Sequence, residues 1–190
     1  MLQLTKFDVA ERQLHQAIAL FFAEGDPVSI HTLAEAAAQI LYDIRTRFGG
    51  HSFRRDSDKI RDEYKKEWMT LLTSARNFFK HGDRDGDAVH SFNVDLNRFT
   101  LLDAVYLYKF AKKAQSPECL LFTCWLAANH SHLFKNDTFP EAIRLQMSDP
   151  EMKSLKNYSE LLTMIRAKNV PFPGVELRLG LPVEPTQTAE

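Results

Sequence analysis

The spacing of apolar residues is the feature that most constrains the fold of this chain. In stretch after stretch they recur three and four positions apart, as in Phe7, Ala10, Leu14, Ala17 and Phe21. Such spacing places the side chains on one face of an α-helix, whereas a half-buried strand requires strict alternation. The sequence therefore predicts an all-α fold, a single helical bundle of about six helices.

Capping and breaking residues indicate where these helices begin and end. Ser29 is a candidate cap for the second helix, Asp56 or Ser57 for the third, and Ser116-Pro117 is a strong start signal for the fifth. Gly82 closes the third helix. The predicted helices cover, in order, residues 7–21, 30–44, 60–79, 98–114, 117–133 and 150–165.

The character of the sequence changes after Lys168. Residues 169–190 contain prolines at four positions and no helical period. Proline lacks an amide hydrogen and fixes φ, so a proline-rich segment does not continue a helix. We predict a bundle domain over residues 1–168 and an extended, partly disordered, Pro-rich C-terminal tail over 169–190.

The overall charge gives no sign of a nucleic-acid-binding surface. The chain of 190 residues carries 24 basic and 25 acidic side chains, a net charge of −1. No general positive field attracts polyanions, and no DNA-binding signature is present. Any role with RNA must depend on a local cluster of cations.

Several features indicate a soluble cytoplasmic protein. The two cysteines, Cys119 and Cys124, lie on different faces of one apolar helix, which suits two reduced thiols and disfavours a disulfide. Met1 to Asp8 lack the basic and apolar regions of a signal peptide. No stretch approaches the roughly 20 apolar residues of a membrane-spanning helix, so no membrane association is expected.

Most sequence signatures of catalysis and metal binding are missing. The chain has no HExxH, CxxC, glycine-rich phosphate loop or serine nucleophile elbow. The series Asp83, Asp85 and Asp87 lacks the closing glutamate of a calcium loop. His130 and His132, two positions apart, would point about 200° apart on a helix. We therefore expect neither a metal ion nor a cofactor.

One short motif has chemical meaning, and it falls at the end of the predicted third helix: Arg76-Asn77-Phe78-Phe79-Lys80-His81. It brings together a cation, a carboxamide and an imidazole, a group that ordinarily titrates near neutral pH. A simpler interpretation is that basic residues in a last helical turn interact favourably with the helix dipole. An arginine with a histidine four to six residues beyond it also occurs at Arg45 to His51 and Arg84 to His90, but only the Arg76 to His81 copy has asparagine after the arginine and a long helix before it.

The motif and the helical order of residues 7–168 resemble the HEPN family. These are small helical-bundle domains, many of them RNA-cleaving toxins or defence proteins, in which the arginine and histidine lie at a dimer interface and cut RNA without a metal. The resemblance implies that His81 transfers a proton at the ribose 2′-hydroxyl, Arg76 holds the phosphate and Asn77 orients the pair.

A different class of function is also compatible with the sequence. A catalytically inactive helical module would act as a homodimer or bind a protein partner, through the charged face of the third helix and the Pro-rich tail. A ligand-binding helical bundle is a third possibility, suggested by the 14 phenylalanines. The expected partners are thus a second copy of the chain, RNA or another protein.

Overall fold

The computed structural model of this protein describes residues 1–83, 86–133 and 149–167. The tail predicted over 169–190 and the domain boundary at 168 lie outside these described residues. Within them the chain forms helices and no strand, which confirms the all-α prediction. The α-helices are α1 Lys6–Phe22, α2 Pro27–Asp43, α3 Lys65–Lys80, α4 Leu96–Lys112, α5 Pro117–Asn129 and α6 Leu155–Arg166.

One predicted cap is confirmed and another is wrong. Ser116 caps α5, with Pro117 as the first helical residue. Ser29 does not cap α2: the carboxylate of Asp26 accepts a hydrogen bond from the Ser29 amide at 2.7 Å, and Pro27 occupies the first turn. A proline is well suited to that turn because its missing amide hydrogen would have no helical partner there.

The start of α3 also differs from the prediction. Neither Asp56 nor Ser57 caps it, and the helix begins at Lys65 after two 3₁₀ turns at Ser57–Lys59 and Asp62–Tyr64. The carboxylate of Asp56 instead accepts a hydrogen bond from the Ser52 amide at 2.8 Å. Asp56 therefore closes the preceding loop and leaves the helix to begin later.

Other helix ends differ from the prediction by a few residues. A 3₁₀ turn at Pro150–Lys153 precedes α6, and Ser154 caps that helix. The α5 helix ends at Asn129, and a further 3₁₀ turn spans Ser131–Leu133. Hydrophobic spacing does not distinguish one helix type from another over a single turn, so these differences lie where the pattern carries least information.

The core forms around α2, which packs against both α1 and α4. Ala34, Ala37 and Ala38 of α2 are fully buried, and their small side chains allow the neighbouring helices to approach closely. The α5 and α6 helices complete the core from the other side of α1. The largest fully buried apolar side chains are Tyr108, Phe22, Phe122, Leu14, Ile18, Leu41, Leu101, Leu107 and Leu126.

The α3 helix lies at the edge of this bundle. Ala75 is its only buried residue, and its packing partner among the α-helices is α2. A helix held along so little of its length leaves open space on either side. The Arg76 to His81 motif therefore lies beside a cavity instead of inside the core.

Candidate functional site

The three residues predicted as a catalytic site line one cavity. It has a volume of about 730 Å³ and lies between α2 and the C-terminal end of α3. Arg76, Asn77 and His81 all border this α2–α3 cavity. The remaining lining side chains are Thr32, Glu35, Ala36, Gln39 and Ile40 from α2, and Phe79 and Lys80 from α3.

The way α3 ends brings His81 to the same side as Arg76. On a continuous helix, positions five apart diverge by about 140°. The helix stops at Lys80, and His81 has an extended backbone with φ −122° and ψ 98° while its amide still donates to the Asn77 carbonyl at 3.1 Å. The predicted glycine cap is not formed: His81 is the C-cap residue, and Gly82, which follows it, lacks the positive φ of a capping glycine.

A chain of hydrogen bonds holds Arg76 against α2. Its Nη1 donates to Gln39 Oε1 at 2.8 Å, and Gln39 Nε2 donates in turn to Asp43 Oδ1 at 2.7 Å. Because the Gln39 nitrogen is used by Asp43, its oxygen is the atom presented to the guanidinium. The Nε and Nη2 atoms of Arg76 also lie 3.4 Å from Asn77 Oδ1. The arginine is thus oriented from both helices.

The charges around the α2–α3 cavity favour an anion. Glu35 is a lining residue, but its carboxylate accepts hydrogen bonds from Arg54 at 2.9 Å and Arg55 at 2.6 Å. Burial works to raise the pKa of Glu35, yet the two guanidiniums outweigh it and hold the pKa below its usual value. Its charge is compensated, whereas the hydrogen-bond partners of Arg76 among the described residues are neutral amides, and Lys80 is exposed. These two cations remain to attract a negatively charged group.

Sequence reasoning missed the buried charges that support this cavity. Arg55 also donates to Asp103 Oδ2 at 2.7 Å, and the hydroxyl of Ser52 lies 2.8 Å from the other oxygen of that carboxylate. Arg54 donates to Thr100 Oγ1 at 2.8 Å. The loop that carries the two arginines is therefore anchored to α2 and α4 by ion pairs almost without exposure.

A signal for these pairs was present in the sequence. Glu35 and Asp103 each interrupt an otherwise apolar helical stretch, and the paired arginines follow a glycine turn in a polar loop. A charged residue on the buried face of a helix needs an opposite charge, because an isolated buried ion is very costly. Nothing in the spacing indicates which arginine meets which carboxylate.

Within the described residues, the two histidines beyond α5 do not belong to a group that could bind a metal ion. Arg98 Nη1 lies 2.7 Å from His130 Nε2, and because a guanidinium only donates, the imidazole nitrogen accepts and its lone pair is occupied. The rings of His130 and His132 are 6.0 Å apart. In the part of the chain that the structure describes, no group of three or more histidine, cysteine, aspartate or glutamate residues could hold a metal ion.

Neither cysteine is placed to act as a nucleophile. Both are free thiols, Cys119 fully buried and Cys124 half-buried. Burial raises the pKa of Cys119 to about 12, so the reactive thiolate is scarce at neutral pH.

Among the described helices, none has the length and apolar character needed to cross a lipid bilayer.

His31, one turn before Glu35 on α2, gives the folded state a predictable pH dependence. It is 3% exposed, and burial lowers its pKa below the ordinary value of 6.5. The charge of Glu35 and the hydrogen bond to Asn97 work against this effect, while Arg54 and Arg55 add to it. The unfolded chain therefore takes up a proton at this residue at a higher pH than the folded chain does.

We expect the free energy of unfolding to fall as the pH decreases from 6.5 toward the depressed pKa of His31. Within that window the loss approaches about 1.4 kcal/mol per pH unit for one histidine. The His31→Gln variant should show a shallower fall, measured by urea unfolding at a series of pH values. Burial lowers the pKa of His15 as well, so the free energy of unfolding of the variant should still fall as the pH decreases. If the free energy of unfolding changed with pH as steeply in His31→Gln as in the wild type, His31 would not be the cause of the pH dependence.

Comparisons with protein-family models, with curated proteins and with solved structures find no match to this chain. The case for a function therefore rests on the side chains of the α2–α3 cavity and on their chemistry.

Proposed function

We propose that this protein cleaves RNA without a metal ion, using the α2–α3 cavity as its active site. The observation that carries the proposal is that Arg76, Asn77, Lys80 and His81 border one cavity, and that the one carboxylate among its described lining residues is compensated by two arginines. A cation for the phosphate and an imidazole for proton transfer are the groups that such a reaction needs.

The reaction is a transesterification within the RNA backbone. The imidazole of His81 takes the proton of the ribose 2′-hydroxyl, and the 2′-oxygen attacks the adjacent phosphorus. The bond from phosphorus to the 5′-oxygen breaks, and that oxygen takes a proton from water or from the imidazolium of a second copy. The guanidinium of Arg76 stabilises the charge on the non-bridging phosphoryl oxygens. The products are a 2′,3′-cyclic phosphate and a free 5′-hydroxyl.

A cleavage assay with a defined oligoribonucleotide tests this proposal. The wild-type protein should cut the RNA equally well with and without EDTA, and mass spectrometry should find the cyclic phosphate end. A single 2′-deoxy nucleotide at the cut position should block the reaction, because the attacking oxygen is then missing. The proposal fails if no RNA in a pool of random sequence is cut under any of these conditions.

Gln39 is expected to act as a positioning residue in this reaction. The Gln39→Ala variant removes the acceptor that holds Arg76, and misplacement of a catalytic group by about 1 Å costs up to roughly 100-fold in rate. The loss should appear in kcat more than in KM, as measured by initial rates of cleavage. Thr32→Ala is the matched control: Thr32 lines the same cavity, but its hydroxyl donates to the Val28 carbonyl within α2. Equal losses in the two variants would count against a positioning role.

A catalytically inactive homodimeric module is the second candidate function, and one observation favours it. The α3 region carries two large apolar side chains in solvent, Leu71 at 64% exposure and Tyr64 at 51%. Apolar groups of this size on one surface are typical of interaction sites. Light scattering should then give twice the chain mass of 21.9 kDa, and the Leu71→Ser variant should have the mass of a single chain. A monomeric wild-type protein would exclude this candidate.

A further inference from the structure

The wall that α3 contributes to the α2–α3 cavity carries two cations one helical turn apart. Arg76 and Lys80 are four positions apart on α3, and both line the cavity. Side chains with this spacing lie on the same face of a helix, with their Cβ atoms about 5–6 Å apart. The cavity volume of about 730 Å³ is large within the range of roughly 300–1,000 Å³ found for ligand sites. The cavity therefore has room for more than one anionic group.

The two cations are held in different ways. Arg76 is half-buried and is fixed by its hydrogen bond to Gln39, whereas Lys80 is exposed. Within the described residues, the lysines that form ion pairs do not include Lys80; they are Lys65, Lys112 and Lys156. A lysine in a last helical turn also interacts favourably with the helix dipole, but its ammonium hydrogens stay available. Lys80 is thus a flexible point charge beside a fixed guanidinium.

The charge differs between the two ends of the α2–α3 cavity. Arg76 contacts Gln39, and the carboxylate one turn further along α2 is the exposed Asp43. The end of α3 lies toward the other end of α2, because the ring of Phe79 is 5.6 Å from that of His31. Beyond Arg76 the charge is therefore negative in one direction, whereas in the other direction Lys80 lines the cavity. A second phosphate is favoured on the Lys80 side, since like charges repel.

The position of His81 relates this side of the cavity to the direction of an RNA strand. In the proposed reaction the phosphate that is cut lies at Arg76, and His81 takes the proton of the 2′-hydroxyl on the 5′ side of that phosphate. His81 directly follows Lys80, and both line the cavity. The sugar with this hydroxyl therefore lies toward the end of α3. The next phosphate in that direction is the one on the 5′ side of the same sugar.

We propose that Lys80 binds this 5′ phosphate and so determines which RNA the protein cuts. The proposal rests on the proposed function. Arg76 and Lys80 together hold two neighbouring phosphates of one strand, and the phosphate at Lys80 positions the strand without taking part in bond breaking. The substrate is then an RNA that has a phosphate before the nucleotide whose 2′-hydroxyl attacks. An RNA with a free 5′-hydroxyl end is cut poorly after its first nucleotide.

Two modified dinucleotides of the same sequence test this proposal. One carries an additional phosphate at its 5′ end and the other at its 3′ end, so their charges match and only the side of the cut differs. The 5′-phosphate should raise kcat/KM over the unmodified dinucleotide by about fivefold, the upper value for an exposed ion pair. The 3′-phosphate should not raise it. The gain should appear in KM, because the ammonium contacts the substrate and the transition state equally.

Variants of two lysines show whether Lys80 causes this preference. Lys80→Ala should remove the advantage of the 5′-phosphate, whereas Lys80→Arg should retain it. The matched control is Lys66→Ala, because Lys66 is also exposed on α3 but is not among the described lining residues of the cavity. This control changes the net charge by the same amount and should keep the full advantage. Circular dichroism checks that each variant is folded.

The possible outcomes separate this proposal from the proposed reaction. If RNA is cut but both end phosphates give equal gains, or if the 5′ advantage survives in Lys80→Ala, the role of Lys80 is overturned and the reaction stands. A 2′-deoxy nucleotide at the cut position gives uncleavable forms of the two modified dinucleotides, whose binding is measured by NMR titration. Tighter binding of the 5′-phosphorylated form that depends on Lys80, with no RNA cut, would support the phosphate contact and contradict the reaction alone. No preference in either cleavage or binding would overturn the proposal.

Discussion

Replacing Glu35 by alanine is expected to destabilise the fold by about 3–5 kcal/mol, the usual effect of removing one partner from a buried ion pair. Glu35 is 1% exposed and accepts hydrogen bonds from both Arg54 and Arg55. Among the described residues, the substitution leaves the side chain of Arg54 with the Thr100 hydroxyl and that of Arg55 with Asp103. Two guanidiniums then share a single buried carboxylate, and the loop that carries them loses its anchor to α2.

Urea unfolding followed by circular dichroism measures this effect. The control is Glu63→Ala, because Glu63 is 53% exposed and pairs with Arg61 at 2.5 Å on the surface. An exposed pair contributes at most about 1 kcal/mol, so this variant should unfold close to wild type. Glu35→Gln should lie between the two, since the amide oxygen still accepts from one arginine. Similar stabilities for Glu35→Ala and Glu63→Ala would mean that the buried network does not hold the loop.

The helices of this protein could be predicted from sequence because their signal is local. Apolar spacing and the Ser116-Pro117 start depend on residues within one or two turns, and both are found in the structure. The cap of α2 was predicted at Ser29, whereas the structure places it at Asp26, directly before Pro27. The third helix was predicted to begin before its observed first residue, Lys65, because Asp56, the expected cap, accepts a hydrogen bond within the preceding loop instead.

The site could be predicted only in part, for a physical reason. The motif from Arg76 to His81 is contiguous, so its residues could be named before the fold was known. Their supports come from far along the chain: Gln39 lies on α2, and the cluster around Glu35 joins α2, a loop and α4. Such pairs are fixed by the packing of helices, and helical periodicity contains no information about which buried charges meet.

His81→Ala and Arg76→Ala are expected to have the largest effects on RNA cleavage. Removal of a general acid or base costs roughly 10²–10⁴ in rate, and removal of a donor that stabilises transition-state charge costs roughly 10²–10³. Asn77→Ala should cost less, because Asn77 orients Arg76 jointly with Gln39. Initial rates on one oligoribonucleotide, with circular dichroism as the folding check, give these values.

His51→Ala is the matched control for His81→Ala. It follows Arg45 by six positions, within the same range of four to six, its side chain is 76% exposed, and it is not among the described lining residues of the α2–α3 cavity. His90 is a less suitable control, because its ring stacks on Phe78 with centroids 5.1 Å apart. The rate should therefore be unchanged in His51→Ala. If both histidine variants lose activity equally while remaining folded, the spacing alone is not the determinant and the α2–α3 cavity is not the active site. If only His81→Ala loses activity, cleavage depends on the Arg76 to His81 motif, which borders the α2–α3 cavity because α3 ends there.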